Sequence, residues 1–141
     1  MRRILVCLDA SSRAPFVLDT AVDLARRTGA KLVLLRAIGL PIEIDQSMFL
    51  RSAVGVEEVL VERARGELAK LAEDVPSSMV EGFDVHVGTP WDTICREATD
   101  RNCDLVVLGS HGHSLLSRIL GTTAAKVVNH CERSVLVARA Q

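Results

Sequence analysis

Asp104-Leu105-Val106-Val107-Leu108-Gly109-Ser110 (DLVVLGS) is the stretch on which the fold class turns. Four consecutive apolar residues cannot present one dry and one wet face, so the run suits a strand covered on both sides. Its two valines favour extended backbone, and it is too short for a buried helix. Gly109 and Ser110 stop it. Runs of the same kind stand at Arg3 to Leu8 (RILVCL), Lys31 to Ile38 (KLVLLRAI) and Ser134 to Arg139 (SVLVAR). Met79 to Val87 alternates more loosely and reads as a further strand.

Helical periodicity fills the gaps between these runs. Phe16, Val17, Ala21, Leu24 and Ala25 recur at helical spacing within Ala14 to Arg27, and Thr28-Gly29 supplies the stop. Val56 to Asp74 is a long amphipathic helix carrying Val59, Leu60, Ala64, Leu68 and Leu71, ended by Pro76-Ser77-Ser78. Gly88-Thr89-Pro90 opens a helix to about Arg101, with Thr89 as a suitable N-cap and Asp92 near the positive end of the dipole. A last helix runs from Thr122 to His130. Gly39 to about Ala53 shows no clear period and reads as irregular, and Gly109 to Leu120 as a loop or broken helix. Strictly alternating strands and helices imply an α/β fold. The expected architecture is an open, doubly wound, five-stranded parallel sheet with helices on both faces, in one domain over residues 1–141.

Composition removes several classes of partner. The 141 residues carry 17 Lys+Arg against 18 Asp+Glu, a net charge of −1, so no global field draws the chain to nucleic acid or anionic lipid. Aromatic residues make up 3% with no Tyr, which leaves no stacking platform for bases. No apolar run approaches the roughly 18 residues of a membrane span. Two arginines precede the first apolar run, but Asp9 interrupts it too early for a leader. Met1 to Asp9 therefore reads as a strand, with a cytoplasmic protein expected. Cys7, Cys95, Cys103 and Cys131 lack any C-x-x-C pairing and read as buried reduced thiols.

In open parallel sheets, ligands bind beyond the carboxyl ends of the strands, where strand order reverses. Two such ends are polar here: Asp9-Ala10-Ser11, and Gly109-Ser110-His111-Gly112-His113-Ser114. Gly121-Thr122-Thr123 follows at a helix start, where free amides and hydroxyls suit phosphate oxygens. Neither a Walker A loop nor G-x-G-x-x-G is present. His111 and His113 lack the further ligands of a metal set. As residues alone, Asp9 reads equally as a helix cap, the glycines as turn residues and the threonines as plain caps.

Taken together, ILVCLD, LVLLRAI, VGTPWDTI, DLVVLGSHGHS, GTTAAKVV and SVLVAR resemble the universal stress protein family across essentially the whole chain. The family's signature is G-2x-G-9x-G-[ST]; here Gly109 and Gly112 are followed by eight residues rather than nine before Gly121-Thr122. The resemblance implies an ATP site, with Mg²⁺ accompanying the phosphates. Asp9 would then meet adenine or ribose, and the backbone of Ala37 adenine. Leu108 and Gly109 would flank ribose and the α-phosphate, while Gly112 lets the loop fold over them. Gly121, Thr122 and Thr123 would donate to the outer phosphates. Cys7 and Leu8 on the first strand, and His111 and His113 near the phosphates, complete the implied set. The resemblance also implies a homodimer through Val135, Leu136 and Val137, serving stress response as a binding module. No general base aimed at a γ-phosphate is evident, so at most slow hydrolysis is expected. A nucleotide-free dimeric interaction protein is the alternative, and an enzyme acting on an adenylate a third, disfavoured because Asp9-Ala10-Ser11-Ser12 lacks the expected loop.

Overall fold

The computed structural model describes residues 1–39, 46–110 and 120–139. Five strands, β1 (Arg3–Cys7), β2 (Lys31–Ile38), β3 (Val80–Val87), β4 (Leu105–Gly109) and β5 (Ser134–Ala138), form one sheet in the order β3-β2-β1-β4-β5. Every neighbouring pair is parallel. Helices α1 (Ala14–Thr28), α2 (Gln46–Leu71), α3 (Pro90–Asp100) and α4 (Thr122–His130) connect them. This is the doubly wound α/β fold that the alternating pattern implies.

Side-chain parity divides the core into two layers. Ile4, Val6, Leu8, Leu32, Leu34 and Val107 face α1 and α2, packing with Val17, Ala21 and Leu68. Leu5, Val33, Leu35, Val106 and Leu108 face the other way, against Ile94, Ala98, Ala124 and Val127 of α3 and α4. The central strands are sealed on both sides, which is why their sequences read as unbroken apolar runs. Each fully buried leucine contributes about 1.5–3 kcal/mol relative to an exposed one.

Local signals explain the helix ends. Gly29 takes the left-handed conformation (φ 78°) at the end of α1, and its N–H donates to Ala25 O at 2.8 Å. Thr89 occupies the N-cap of α3 and Gly121 that of α4, neither with a side-chain capping bond. One expectation is corrected. Helix α2 begins at Gln46 rather than Val56, so the second half of the supposedly irregular 39–53 stretch is helical. The sequence from Gln46 to Val54 contains neither Gly nor Pro. Gly55 inside the helix costs about 1 kcal/mol and masks the period without ending it.

Strand order reverses at β1: the chain runs outward through β2 to β3, then crosses to β4 and β5. The carboxyl ends of β1 and β4 therefore diverge into loops on opposite faces, opening a crevice between them.

Candidate functional site

The end of β1 is shaped by a succession of short bonds. Leu8 N–H donates to Leu35 O at 2.9 Å, extending the ladder past the last strand residue. The Asp9 carboxylate then accepts the Ser11 N–H at 3.0 Å, and Ser11 Oγ accepts the Arg13 N–H at 3.2 Å. Ala14 N–H reaches Ser11 O at 3.2 Å, and α1 begins. Asp9 thus shapes the loop, while the N-cap position of α1 belongs to Arg13. Beneath this loop lies Arg36, only 6% exposed. Its Nε donates to Leu8 O at 2.9 Å and its Nη2 to Asp9 O at 3.1 Å. Nη1 pairs with Glu67 of α2 at 2.5 Å.

Across the switch point, Ser110 N–H donates to Ala138 O at 3.3 Å, and Gly121 N–H returns to Ser110 O at 2.9 Å. The two ends of the 111–120 segment are thereby held side by side, and α4 starts next to the end of β4. Its first-turn residues Thr122 and Thr123 are exposed.

Between these two constructions lies a cavity of about 540 Å³, within the size range of small-molecule sites. Of the residues implied by the sequence, Cys7, Leu8, Asp9 and Ala37 line it from β1 and β2. Leu108, Gly109, Thr122 and Thr123 line it from β4 and α4. Gly121 does not line it. Its N–H is engaged by Ser110 O, which closes the segment. His111, Gly112 and His113 lie outside the described residues.

Other lining residues escaped sequence reasoning. Ala10, Ser11, Ala14 and Val17 come from the α1 loop and first turns, Leu35 from β2, Pro90 and Ile94 from α3, and Ala124 from α4. They reach the cavity because parallel crossovers aim the starts of α1, α3 and α4 at the same end of the sheet. Each helix start also adds partial positive charge there. The lining is otherwise apolar along its floor. Burial raises the Cys7 thiol well above its ordinary range, so it stays protonated at the cavity edge.

A second polar concentration sits away from the cavity, on β3 and α3. Asp84, His86 and Glu97 bring ligand-type atoms within 4.8 Å of one another, the spacing of a possible metal site. The cluster already has its cation. Arg101 Nη2 donates to Asp84 Oδ1 at 2.6 Å and also to Oδ2, and Arg101 Nε lies 3.7 Å from Glu97. His86 Nε2 stands 3.1 Å from the other Glu97 oxygen. Desolvation pushes the Glu97 carboxyl above its ordinary 4.5, against the pull of His86 and Arg101. These groups form a structural ion network. The remaining singled-out side chains also pack: Trp91 stacks on His130 at 4.7 Å between ring centroids. The four thiols are unpaired, with burial lifting Cys95 to about 12 and Cys103 to about 11.

A five-stranded parallel sheet with a crevice at its switch point, bordered by three helix starts, defines a ligand-accommodating α/β domain. Sequence comparison places it more closely: the universal stress protein family profile matches residues 1–139, and the chain belongs to that family. Universal stress protein Sll1388 of Synechocystis is 31% identical over 147 residues, covering 96% of each chain. Among solved structures, hypothetical protein MJ0577 superposes with a TM-score of 0.82 at 22% identity, over 99% of this chain and 96% of that one. A universal stress protein in complex with cAMP gives 0.66 at 22% identity, over 98% and 96%. The universal stress protein of Archaeoglobus fulgidus in complex with dAMP gives 0.60 at 19% identity, over 99% and 98%. Among the described residues, no helix is long and apolar enough to cross a membrane.

Proposed function

We propose that the chain binds an adenine nucleotide, ATP in the first instance, in the cavity between β1 and β4. The observation that carries this reading is the pairing of apolar lining residues with a helix start whose N-cap residue, Gly121, makes no side-chain capping bond. Ala37 and Leu35, on the α3/α4 side of the sheet, offer an apolar surface for a flat base. Thr122, Thr123 and the first-turn amides of α4 offer donors for phosphate, since the cap residue Gly121 supplies no side chain. The Asp9 carboxylate stands at the sugar side of such a pose. Two structural neighbours whose complexes contain cAMP and dAMP support the same ligand class. Mg²⁺ would accompany the phosphates of ATP. With hydrolysis slow at most, the protein acts as a cytoplasmic binding module of stress response rather than as a fast enzyme.

The assembly is part of the proposal. Strand β5 lies at the sheet edge, pairing with β4 on one side only. Val135, Leu136 and Val137 are half-buried within one chain. Pairing with β5 of a second copy satisfies the open ladder and covers these side chains.

Two measurements test the reading. Purified protein is denatured and its supernatant assayed for adenine nucleotide, and ATP is titrated into the emptied protein by calorimetry. A released nucleotide or a saturable heat is expected. Neither appearing leaves the nucleotide-free interaction protein standing. Sedimentation checks the homodimer, which Leu136→Asp should dissociate.

A further inference from the structure

The Arg36 side chain is a buried guanidinium on a strand whose same-face neighbours Leu32 and Leu34 are core leucines. A desolvated charge in that place is tolerated only when its donors are taken up. Two of the three nitrogens serve the main chain of the β1 exit, at Leu8 O and Asp9 O, and both of those residues line the cavity. The third reaches Glu67, whose side chain is 41% exposed on α2. Glu67 is itself shared, with Arg63 Nε at 3.4 Å from its other oxygen, and Arg63 is 78% exposed. A continuous line of charge-assisted contacts therefore leads from the solvent face of α2, through the core, to the lip of the cavity.

We infer that Arg36 is a positioning residue for the ligand site and that Glu67 is its surface anchor, so that site affinity depends on a charge outside the site. The inference rests on the nucleotide reading above. Arg36 touches no ligand in this scheme. It holds the Leu8 and Asp9 carbonyls turned inward, and this leaves the Asp9 carboxylate on the cavity side with Ser11 N–H as its partner. The planar fork of the guanidinium is needed because three acceptors lie in different directions; a lysine ammonium cannot span all of them. Glu67 fixes the fork by drawing Nη1 toward α2. Without it, Arg36 regains rotamer freedom and the loop loses its fixed shape.

The test compares wild type with Arg36→Lys, Arg36→Met and Glu67→Gln, with Asp23→Asn as control. Asp23 pairs with Arg27 on the exposed face of α1 and touches none of these groups. ATP affinity is read by calorimetry, backbone exchange at Ser11 by hydrogen–deuterium exchange, and unfolding by thermal melt. Arg36→Met is expected to weaken ATP by about tenfold or more, Arg36→Lys by less, and Glu67→Gln by about threefold. Ser11 exchange should quicken in the same order, while Glu67→Gln melts close to wild type because its pair is half-exposed. Asp23→Asn changes nothing. Should Arg36→Met fail to fold, Arg36→Lys and Glu67→Gln decide. If those two bind ATP as tightly as wild type, or weaken it without any change at Ser11, the positioning role is overturned. A wild type that takes up no adenine nucleotide overturns the reading of the cavity first, and this inference with it.

Discussion

Helix α3 borders both polar concentrations of the molecule, and they are built on opposite plans. At its middle and end, Glu97 and Arg101 meet Asp84 and His86 on the edge strand β3, with the Arg101 guanidinium reaching both carboxylates. At its start, Pro90 and Ile94 border a cavity also lined by Thr122 and Thr123, at the start of a helix whose N-cap residue is Gly121. The first arrangement pairs its groups within the chain; the second is the place where the proposed nucleotide would bind.

The sharpest way to break this contrast is a carboxylate at the α4 start. Thr123→Glu should reduce ATP binding by about a hundredfold, since like charges set against each other cost several kcal/mol. Its stability should hold or rise by about 0.3–1 kcal/mol, because a negative charge favours a helix N-terminus. Calorimetry and urea unfolding read the two effects separately, and a parallel fall in both removes the phosphate assignment. Next in size, Arg101→Met strips the network of its cation. Because Arg101 is 40% exposed, the loss should be roughly 1–3 kcal/mol rather than that of a fully buried pair. ATP affinity should stay unchanged if the two regions are independent.

A smaller effect appears in pH dependence. Glu97 titrates above its ordinary 4.5 in the folded state, chiefly through desolvation. Its contribution is fully present below that pH and falls as pH rises through the folded value, so Glu97→Gln should flatten the decline. Asp104 has the opposite sign. It accepts the Arg2 N–H at 2.6 Å and the Arg3 N–H at 2.9 Å, and these bonds hold it below its ordinary 3.8. Its contribution is present above that pH and disappears as pH falls through the lowered value. The stability difference between wild type and Asp104→Asn should therefore vanish in acid. Urea melts across pH 3 to 8 distinguish the two slopes.

The sequence revealed the cavity's strand ends more readily than its helix walls. Ala37 and Leu108 stand near the ends of apolar runs, Asp9 and Gly109 just beyond them, and a parallel sheet sends such positions to one end. Ala14, Val17, Ile94 and Ala124 carry no comparable mark, because each looks like an ordinary core position until helix packing is known. Arg36 did carry a signal: KLVLLRAI places a guanidinium at core parity with Leu32 and Leu34, which demands buried partners. Where those partners lay depended on tertiary packing: two are carbonyls of the β1 exit, at Leu8 and Asp9, and the third is Glu67 of α2. The partner of the Gly121 N–H was hidden for a related reason. Proximity to a helix start suggests an open amide, but long-range closure onto Ser110 decided its partner.

The bond from Gly121 to Ser110 has a consequence for how this domain tolerates change. Anchoring both ends of the intervening ten residues makes their number nearly a free variable, since one residue more or less alters closure entropy by only about 0.1 kcal/mol. A deletion there is absorbed between two fixed posts, leaving the final helix and strand where they were.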